Sequence, residues 1–420
     1  MVELYPFCAY RYNAKAIGNG DLKAVVVNPS IALTKKRFDM LVNRSTFNAI
    51  KLIAFEYEVL SERDALGEKS KDLMKEWIEK GVLERDVEQG FYLYEIEYGE
   101  PPNRRHIRGL IGLMKLHEYG DGRVVPHEYT TDGIKARMVR SMELLKSNLS
   151  LIFCLYEDAS NEVQALERML TKIAQNKPLT SVTCDLGFVH KLWHISDEAC
   201  CNLIRKALKD KRVFLGDGHH RYEAALEYYR KHGKPDKIMA FLVNIHTQDL
   251  EIQPFHRVIR NIPAFDFEKF LEKLRVFFHV EEKHISVTEI QQFLEGLGRT
   301  SFVIKHGESC FLCTPKHKAF KAAGQHPSQL AVGMVQELIV KRMLRLSVEQ
   351  IKSNKYLHYI QEVEEAFSAT ETPNTNFVVL LGPADKNVIM DMIVSGYQMP
   401  EKSTCFCPKP LIGLTFHRFE

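Results

Sequence analysis

The sequence predicts a mixed α/β protein of the α+β kind, and three observations lead there. Short apolar runs of strand length alternate with helix-period patterns along almost all 420 residues. No internal repeat, low-complexity tract or long linker interrupts them. The pattern restarts after Asn261-Ile262-Pro263, so two regions are expected: residues 1–260, and a smaller α+β region over 261–420.

In the first region the strand-like runs are 23–27, 49–57, 91–98, 107–116, 151–156, 188–195, 213–216 and 238–245. Apolar residues at helical spacing predict helices over 69–80, 135–147, 160–175, 197–209 and 219–232. Beyond the break, a helix over 267–276 leads into a strand at 278–280. Further strands are expected at 301–305, 377–381 and 411–416, and helices at 330–344 and 359–368.

Composition narrows the function classes. Apolar residues make up 45% and charged residues 26%, both ordinary for a globular chain. The net charge is +3 and no run of five or six Lys/Arg occurs, so no nucleic-acid partner is expected. No apolar stretch reaches the ~18 residues that span a bilayer. The opening MVELYPFCAYRY lacks the parts of a secretory signal. Nine scattered cysteines, an odd number, suggest reduced thiols and a cytoplasmic protein without a membrane partner.

The most informative stretch is FLGDGHHRYEAALEYYRKHG, residues 214–233. An apolar strand meets Asp217-Gly218, and a helix then starts on His219-His220-Arg221. Tyr222, Ala225, Leu226 and Tyr229 give the helix one apolar stripe, and Gly233 ends it. Asp217 stands where an N-cap acceptor belongs, and Gly218 permits a tight turn and close approach of a ligand. A helix start carries about half a positive charge, and Arg221 adds a fork suited to phosphate oxygens. Clustered cations at that end repel one another unless an anion sits among them. A solvated helix start is the plain alternative; the full Asp-Gly-His-His-Arg run favours a phosphate-bearing ligand.

Three further groups carry chemistry. Pro126-His127-Glu128 precedes a helix holding Lys135 and Arg137, so a His–Glu pair would polarise a hydroxyl beside two phosphate-binding cations; an exposed loop ion pair is the alternative. Pro254-Phe255-His256-Arg257 reads equally as a site edge or as a strand with outward polar residues. Lys402-Ser403-Thr404, between Pro400 and Pro408, is a rigid polar loop or a plain turn. Cys310-x-x-Cys313 with Cys405-x-Cys407 has zinc-like spacing, but the stretches lack knuckle turns. His190 and His194, four apart in a strand-like run, are not read as ligands.

Asp217–Arg221 resembles the Gly-x-His-Arg helix start of the ParB/sulfiredoxin superfamily, which binds nucleotide phosphates. The longer run resembles the "DGHHRYE" signature of a widespread uncharacterised family with free-serine-kinase relatives, including a pyrophosphate-dependent type. Residues 108–130, 146–158, 190–197, 254–261 and 399–410 are similar to other blocks of that family. One departure is clear: Asn28-Pro29-Ser30-Ile31 stands where the family reads Pro-Pro-Tyr-Asp.

The resemblance implies a ParB/sulfiredoxin-like core and a kinase passing a phosphoryl group from pyrophosphate to L-serine. Gly218, His219, His220, Arg221, Lys135 and Arg137 would hold the donor, with Mg²⁺ on Asp217 and no organic cofactor. Asp217, His220, Glu128 and Glu223 would be catalytic, the base among the three carboxylates being open. His127, His256, Arg257, Lys402, Ser403 and Thr404 would bind serine, with the 399–410 loop reaching the site. ATP- or ADP-dependent serine kinases and a ParB-like DNA-binding protein are the alternatives. A sulfiredoxin-type reductase needs a cysteine where His219 stands. Neither the Gly-x-x-x-x-Gly-Lys-Ser/Thr loop nor Gly-x-Gly-x-x-Gly occurs.

Overall fold

The structure, a computed structural model, describes residues 2–18, 20–57, 63–128, 130, 132–157, 160–209, 211–247 and 249–419. Asp158, the last residue of the 146–158 block, lies outside them. The architecture is α+β, in two compact units. The first unit takes Met1–Pro126, Thr130–Leu250 and Pro408–Glu420; the second takes residues 127–129 and Glu251–Cys407. The chain leaves the first unit at Leu250, ahead of the Asn261-Ile262-Pro263 punctuation. His127 and Glu128, which the sequence grouped with the first region, belong to the second unit.

Nine strands of the described residues form the sheet of the first unit. Their order is Val124–Val125, Val213–Asp217, Ile152–Tyr156, Lys237–Asn244, Arg105–Lys115, Phe91–Tyr98, Val189–Ile195 and Thr180–Thr183, with Leu4–Tyr5 also beside Arg105–Lys115. Lys237–Asn244 runs parallel to Ile152–Tyr156, and Val213–Asp217 parallel to Val124–Val125; the other pairings are antiparallel.

Alternation along the strands decides the packing. Ile152 and Cys154, Val213 and Leu215, and Ala240 and Leu242 turn to one face. There they meet apolar stripes of the helices Asp132–Leu145, Asn161–Ala174, Glu198–Leu208 and His219–His232. Two of these helices begin on side-chain caps: Ser160 accepts from the Val163 amide at 3.4 Å, and Asp197 from Cys200 at 2.9 Å. In His219–His232 the buried residues are His219, Tyr222, Ala224, Ala225, Leu226 and Tyr228, whereas Tyr229 is 38% exposed.

Several expectations from sequence are corrected. Residues 49–57 form helix Ile50–Ile53 and a 3-10 turn Ala54–Glu56, not a strand. Asn48 decides this locally: its side-chain oxygen accepts from the Ile50 amide at 3.0 Å while its nitrogen donates to Ala24. A short, mostly apolar run broken only by Lys51 and Glu56 carries no period long enough to separate the two forms. Residues 22–24 form a 3-10 turn where strand 23–27 was expected. Residues 411–416 contribute single bridges, Val27 to Ile412 and Tyr10 to Phe416, rather than a strand.

The second unit has a six-stranded antiparallel sheet, ordered Phe278–Lys283, Ser309–Pro315, Phe302–His306, Thr375–Leu381, His256–Arg260 and Leu357–Ile360. A separate ribbon pairs Glu251–Gln253 with Cys405–Cys407. The helix expected at 330–344 is Ala331–Met334 continued as a π-helix, Val335–Met343. The expected helix 359–368 begins only at Val363, because Leu357–Ile360 pairs as an edge strand. Among the described residues no helix is long and apolar enough to cross a membrane.

Candidate functional site

In the first unit the strand Val213–Asp217 delivers its last residue to a turn at Gly218. Gly218 has φ +91°, and it is the helix N-cap, without a side-chain cap bond. Asp217 therefore is not the N-cap, as the sequence suggested: a left-handed residue is needed between strand and helix, and glycine fills that place. A Cβ at 218 would lie 3.0 Å from Ile152 Cγ2 and 3.2 Å from Arg221 Nε. The first intrahelical bond runs from the Tyr222 amide to Gly218 O, 2.9 Å, so the amides of the first turn have no acceptor within the helix itself.

Around this turn the side chains form a charged cluster. Asp217 Oδ2 accepts from Arg221 Nη2 at 3.0 Å, and Asp217 Oδ1 lies 3.4 Å from Lys409 Nζ. Arg221 also donates through Nη1 to Leu151 O. His219 is buried and His220 half-buried. Glu223, one turn on from His219, accepts from Thr130 Oγ1 at 2.6 Å.

Beside Arg221 lies a cavity of about 30 Å³, lined among others by Glu56, Ser141, Ser147, Asn148 and Arg221. That volume holds a water or two, and the lining is polar enough to bind them. The Ser141 hydroxyl donates to Glu56, whose pKa burial nonetheless raises; Arg221 works in the opposite direction. Tyr57 is pushed up to about 12, by burial first and then by Glu56, against Arg221, Arg37 and Lys409. Arg137 Nε donates to Glu56 O at 3.2 Å, which sets it beside this cluster.

Lys135 is a correction. Its ammonium pairs with Asp132 at 3.2 Å and Glu227 at 3.7 Å, two turns along the helix from the Gly218 turn. The register of Asp132–Leu145 against His219–His232 takes it there, and that register is not written in either segment alone. The Asn28–Ile31 departure also has a structural account. Asn28 Oδ1 accepts from the Ser30 amide at 2.9 Å, and Arg37 donates to the carbonyls of Asn28, Ile31 and Ala32.

The second unit gathers the other sequence-predicted residues. Glu128 is cradled by three consecutive amides: Oε2 accepts from Lys402 N at 3.2 Å, and Oε1 from Ser403 N at 3.1 Å and Thr404 N at 3.0 Å. Thr404 Oγ1 adds a fourth bond to Oε1 at 3.1 Å. Lys402 has φ +56°, which turns the successive N–H groups to one side as an anion nest. His127, fully buried, shares a 2.8 Å bond between Nε2 and Thr404 Oγ1, and its ring meets Phe406 edge-on.

Arg257 is 1% exposed and holds the loop from below, through Nη2 to Lys402 O at 3.1 Å. Burial lowers its pKa to about 10, and its guanidinium lies 5.5 Å from the Tyr359 ring centre. His256 accepts from the Leu381 amide through Nδ1 at 3.1 Å; burial, with Arg257 adding, lowers it to about 4, so it is a neutral imidazole. The Ser403 hydroxyl donates to Pro400 O at 2.5 Å, and Lys402 Nζ sits 5.4 Å from the Phe255 ring centre.

Sequence reasoning missed Lys409, Glu56, Tyr57 and Arg37. Lys409 was legible only as part of the 399–410 block. Glu56 and Tyr57 lay inside a run read as strand. Cys310 and Cys313 are buried free thiols on one strand, and Cys405 Sγ lies 3.2 Å from Cys407 Sγ. Among the described residues no three His, Cys, Asp or Glu side chains come together to hold a metal. Both Asp217 oxygens already face cations, so these residues do not fit a resident Mg²⁺.

Fold and site together define an α+β protein in which a charged cluster of Asp217, Arg221 and Lys409 lies beside a helix start. The chain belongs to the family described as "Protein of unknown function (DUF1015)", whose model matches residues 4–339. No curated protein sequence matches the chain. Among solved structures, a conserved hypothetical protein from Pyrococcus furiosus is 14% identical, with a TM-score of 0.37 over 70% of this chain and 90% of that one. A free serine kinase in complex with AMP is 14% identical, with a TM-score of 0.34 over 70% and 88%. SbnI with C-terminal truncation, from Staphylococcus aureus, is 12% identical, with a TM-score of 0.35 over 72% and 85%. Scores of this size are too low to carry fold or activity across.

Proposed function

We propose that the protein is a small-molecule kinase that transfers a phosphoryl group from pyrophosphate to the hydroxyl of L-serine. The products are O-phospho-L-serine and orthophosphate. One observation carries the reading: the helix start after the left-handed Gly218, with Arg221 and Lys409 both on Asp217 beside it. A diphosphate meets amides, a planar guanidinium and an ammonium there. Phosphoryl transfer asks for such positioning and charge neutralisation more than for covalent chemistry.

In this reading Gly218, His219, His220, Arg221 and Lys409 hold the donor, Arg137 supports them, and Asp217 orients the two cations. Mg²⁺ is assigned to the donor complex rather than to a protein site. The serine oxygen forms the new P–O bond, the P–O–P bridge breaks, and the hydroxyl proton passes to a carboxylate. The candidate acceptors are Asp217, Glu128 and Glu223, and the substitution of Glu128 tests one of them. His127, His256, Arg257, Ser403 and Thr404 position the loop that holds Glu128, and Lys402 receives the serine carboxylate.

The test is product analysis by mass spectrometry, with serine, Mg²⁺ and in turn pyrophosphate, ATP and ADP. Phosphoserine from pyrophosphate alone is the expected result. Phosphoserine from ATP or ADP with none from pyrophosphate overturns the donor and keeps the kinase. No phosphoserine from any donor overturns both.

A further inference from the structure

Glu56 ends the 3-10 turn Ala54–Glu56 and turns a carboxyl group into the interior of the first unit. Among the described residues one hydrogen bond reaches that carboxyl, from the Ser141 hydroxyl to Oε1. A carboxylate accepts several, so Ser141 leaves most of its capacity unused. The cavity of about 30 Å³ that Glu56 lines brings it to the same space as Arg221, with Ser147, Asn148 and Ser150 around them. Arg221 acts on Glu56 across this space: it opposes the rise in pKa that burial imposes. The ion pair of Arg221 itself is with Asp217, at 3.0 Å.

The plain explanation is that Glu56 fastens its turn to helix Asp132–Leu145 through Ser141 and does nothing else. That fastening needs no charge, since the amide oxygen of a glutamine accepts the same bond. A buried carboxyl is costly unless a cation or further hydrogen bonds answer it. Arg221 is the one cation among the residues lining the cavity. Its guanidinium donates to Leu151 O and to Asp217, and carries more N–H donors than these two bonds use. A water in the cavity has Glu56 as an acceptor, Arg221 as a donor and Ser147, Asn148 and Ser150 as further partners. Such a bridge is nearly as good as a direct bond.

We propose that Glu56 is a positioning residue for Arg221, holding the guanidinium through water in this cavity so that it keeps its aim when a donor phosphate arrives. The role rests on the reading of Arg221 as a phosphate-binding group. Asp217 alone is a poor anchor for that purpose, because Lys409 shares its carboxylate. A phosphate that draws on Arg221 competes with the Asp217 bond, whereas Glu56 has no second cation lining its cavity.

The experiment is a double-mutant cycle in the full chain: wild type, Glu56→Gln, Arg221→Lys and the double variant. Each is measured by urea unfolding and by steady-state kinetics with the donor that serves the wild type. Glutamine keeps the Ser141 bond and the side-chain shape; lysine keeps the charge of Arg221 without its fork. Glu56→Gln should lower the urea midpoint in the wild type, and by less than half as much when residue 221 is lysine. It should also raise the donor KM about 10-fold, with the serine KM unchanged, and barely alter the donor KM of Arg221→Lys. Additive midpoints overturn the link between the two side chains, whatever the kinetics. Coupled midpoints with an unchanged donor KM overturn the positioning role and leave a contact that serves stability only. Absence of turnover with pyrophosphate, ATP and ADP alike falls on the kinase reading instead, and the urea cycle then decides the link by itself.

Discussion

Lys409 brings its ammonium to 3.4 Å from the carboxylate of Asp217, across 192 residues of chain. Arg221 takes the other oxygen at 3.0 Å. The carboxylate therefore acts as a spacer between two cations beside the first turn of His219–His232. The Arg221 guanidinium carries more N–H donors than this pair uses. An arriving phosphate shares both without either side chain having to be recruited.

Lys409→Ala should raise KM for pyrophosphate about 10- to 100-fold and leave KM for serine unchanged. A hydrogen bond to a charged group is worth about 1.5–3 kcal/mol. Arg221→Ala should lose more, since Leu151 O and Asp217 also lose their partner. Steady-state kinetics on both variants checks this; an unchanged pyrophosphate KM in Lys409→Ala would remove Lys409 from the donor site.

Gly218→Ala should destabilise the protein by about 1–2 kcal/mol, the cost of a side chain in the left-handed region. The Cβ also meets Ile152 Cγ2 at 3.0 Å and Arg221 Nε at 3.2 Å, so the guanidinium must move. Loss of donor binding should therefore exceed the loss of stability. Urea unfolding and calorimetric titration with pyrophosphate compare the two.

Glu128→Gln replaces an acceptor-only carboxylate with an amide whose NH₂ takes the place of one oxygen, at best Oε2, where it meets the Lys402 N–H. We expect about 1–3 kcal/mol of destabilisation, from the Lys402 amide left without an acceptor and from the lost charge on the bonds of Ser403 and Thr404. Phosphoserine formation should drop by about 10² or more at a temperature where the variant is fully folded. Lost stability with intact turnover would reduce Glu128 to a loop anchor.

Acid should weaken the fold through buried histidines. His256 falls to about 4 from an ordinary 6.5, because burial and then Arg257 disfavour its charge. Its contribution is present above pH 6.5 and is lost as the pH falls toward 4, because the unfolded chain takes a proton that the folded chain refuses. For His256 this amounts to about 3 kcal/mol at most. His190, lowered to about 3, and His417, lowered to about 4, act in the same direction. Urea midpoints at pH 7, 5.5 and 4.5 measure the decline, and His256→Asn, which keeps an acceptor for the Leu381 amide, should flatten part of it.

The bounds of helix His219–His232 were legible because its apolar stripe, its glycine stop and its preceding strand agree, although Tyr229 of that stripe is exposed and the N-cap is Gly218 rather than Asp217. Run 49–57 was not, since apolar residues on every side fit strand and buried helix alike. Within the site, Asp217, Gly218 and Arg221 are neighbours in sequence, so their grouping could be read directly. Lys409 and Glu56 reach the same cluster through long-range folding, and Lys135 leaves it through a helix register that no local pattern records. The Glu128 nest was half visible: the sequence named both the carboxylate and the loop at 402–404, but not that one holds the other.

The thread of the chain has a consequence for the order of manufacture. Residues after Pro408 stitch the first unit together: Leu411 N to Tyr94 Oη at 3.0 Å, Ile412 to Val27, Phe416 to Tyr10, and Phe419 N to Lys146 O at 2.7 Å. Synthesis runs from the N-terminus, so this sheet waits for residues 411–419, which are made only after Glu251–Cys407. Its aromatic face, Tyr94 included, stays open throughout translation of the intervening Glu251–Cys407 unit. A nascent chain halted after Cys407 would hold every residue of the second unit and lack those that close the first.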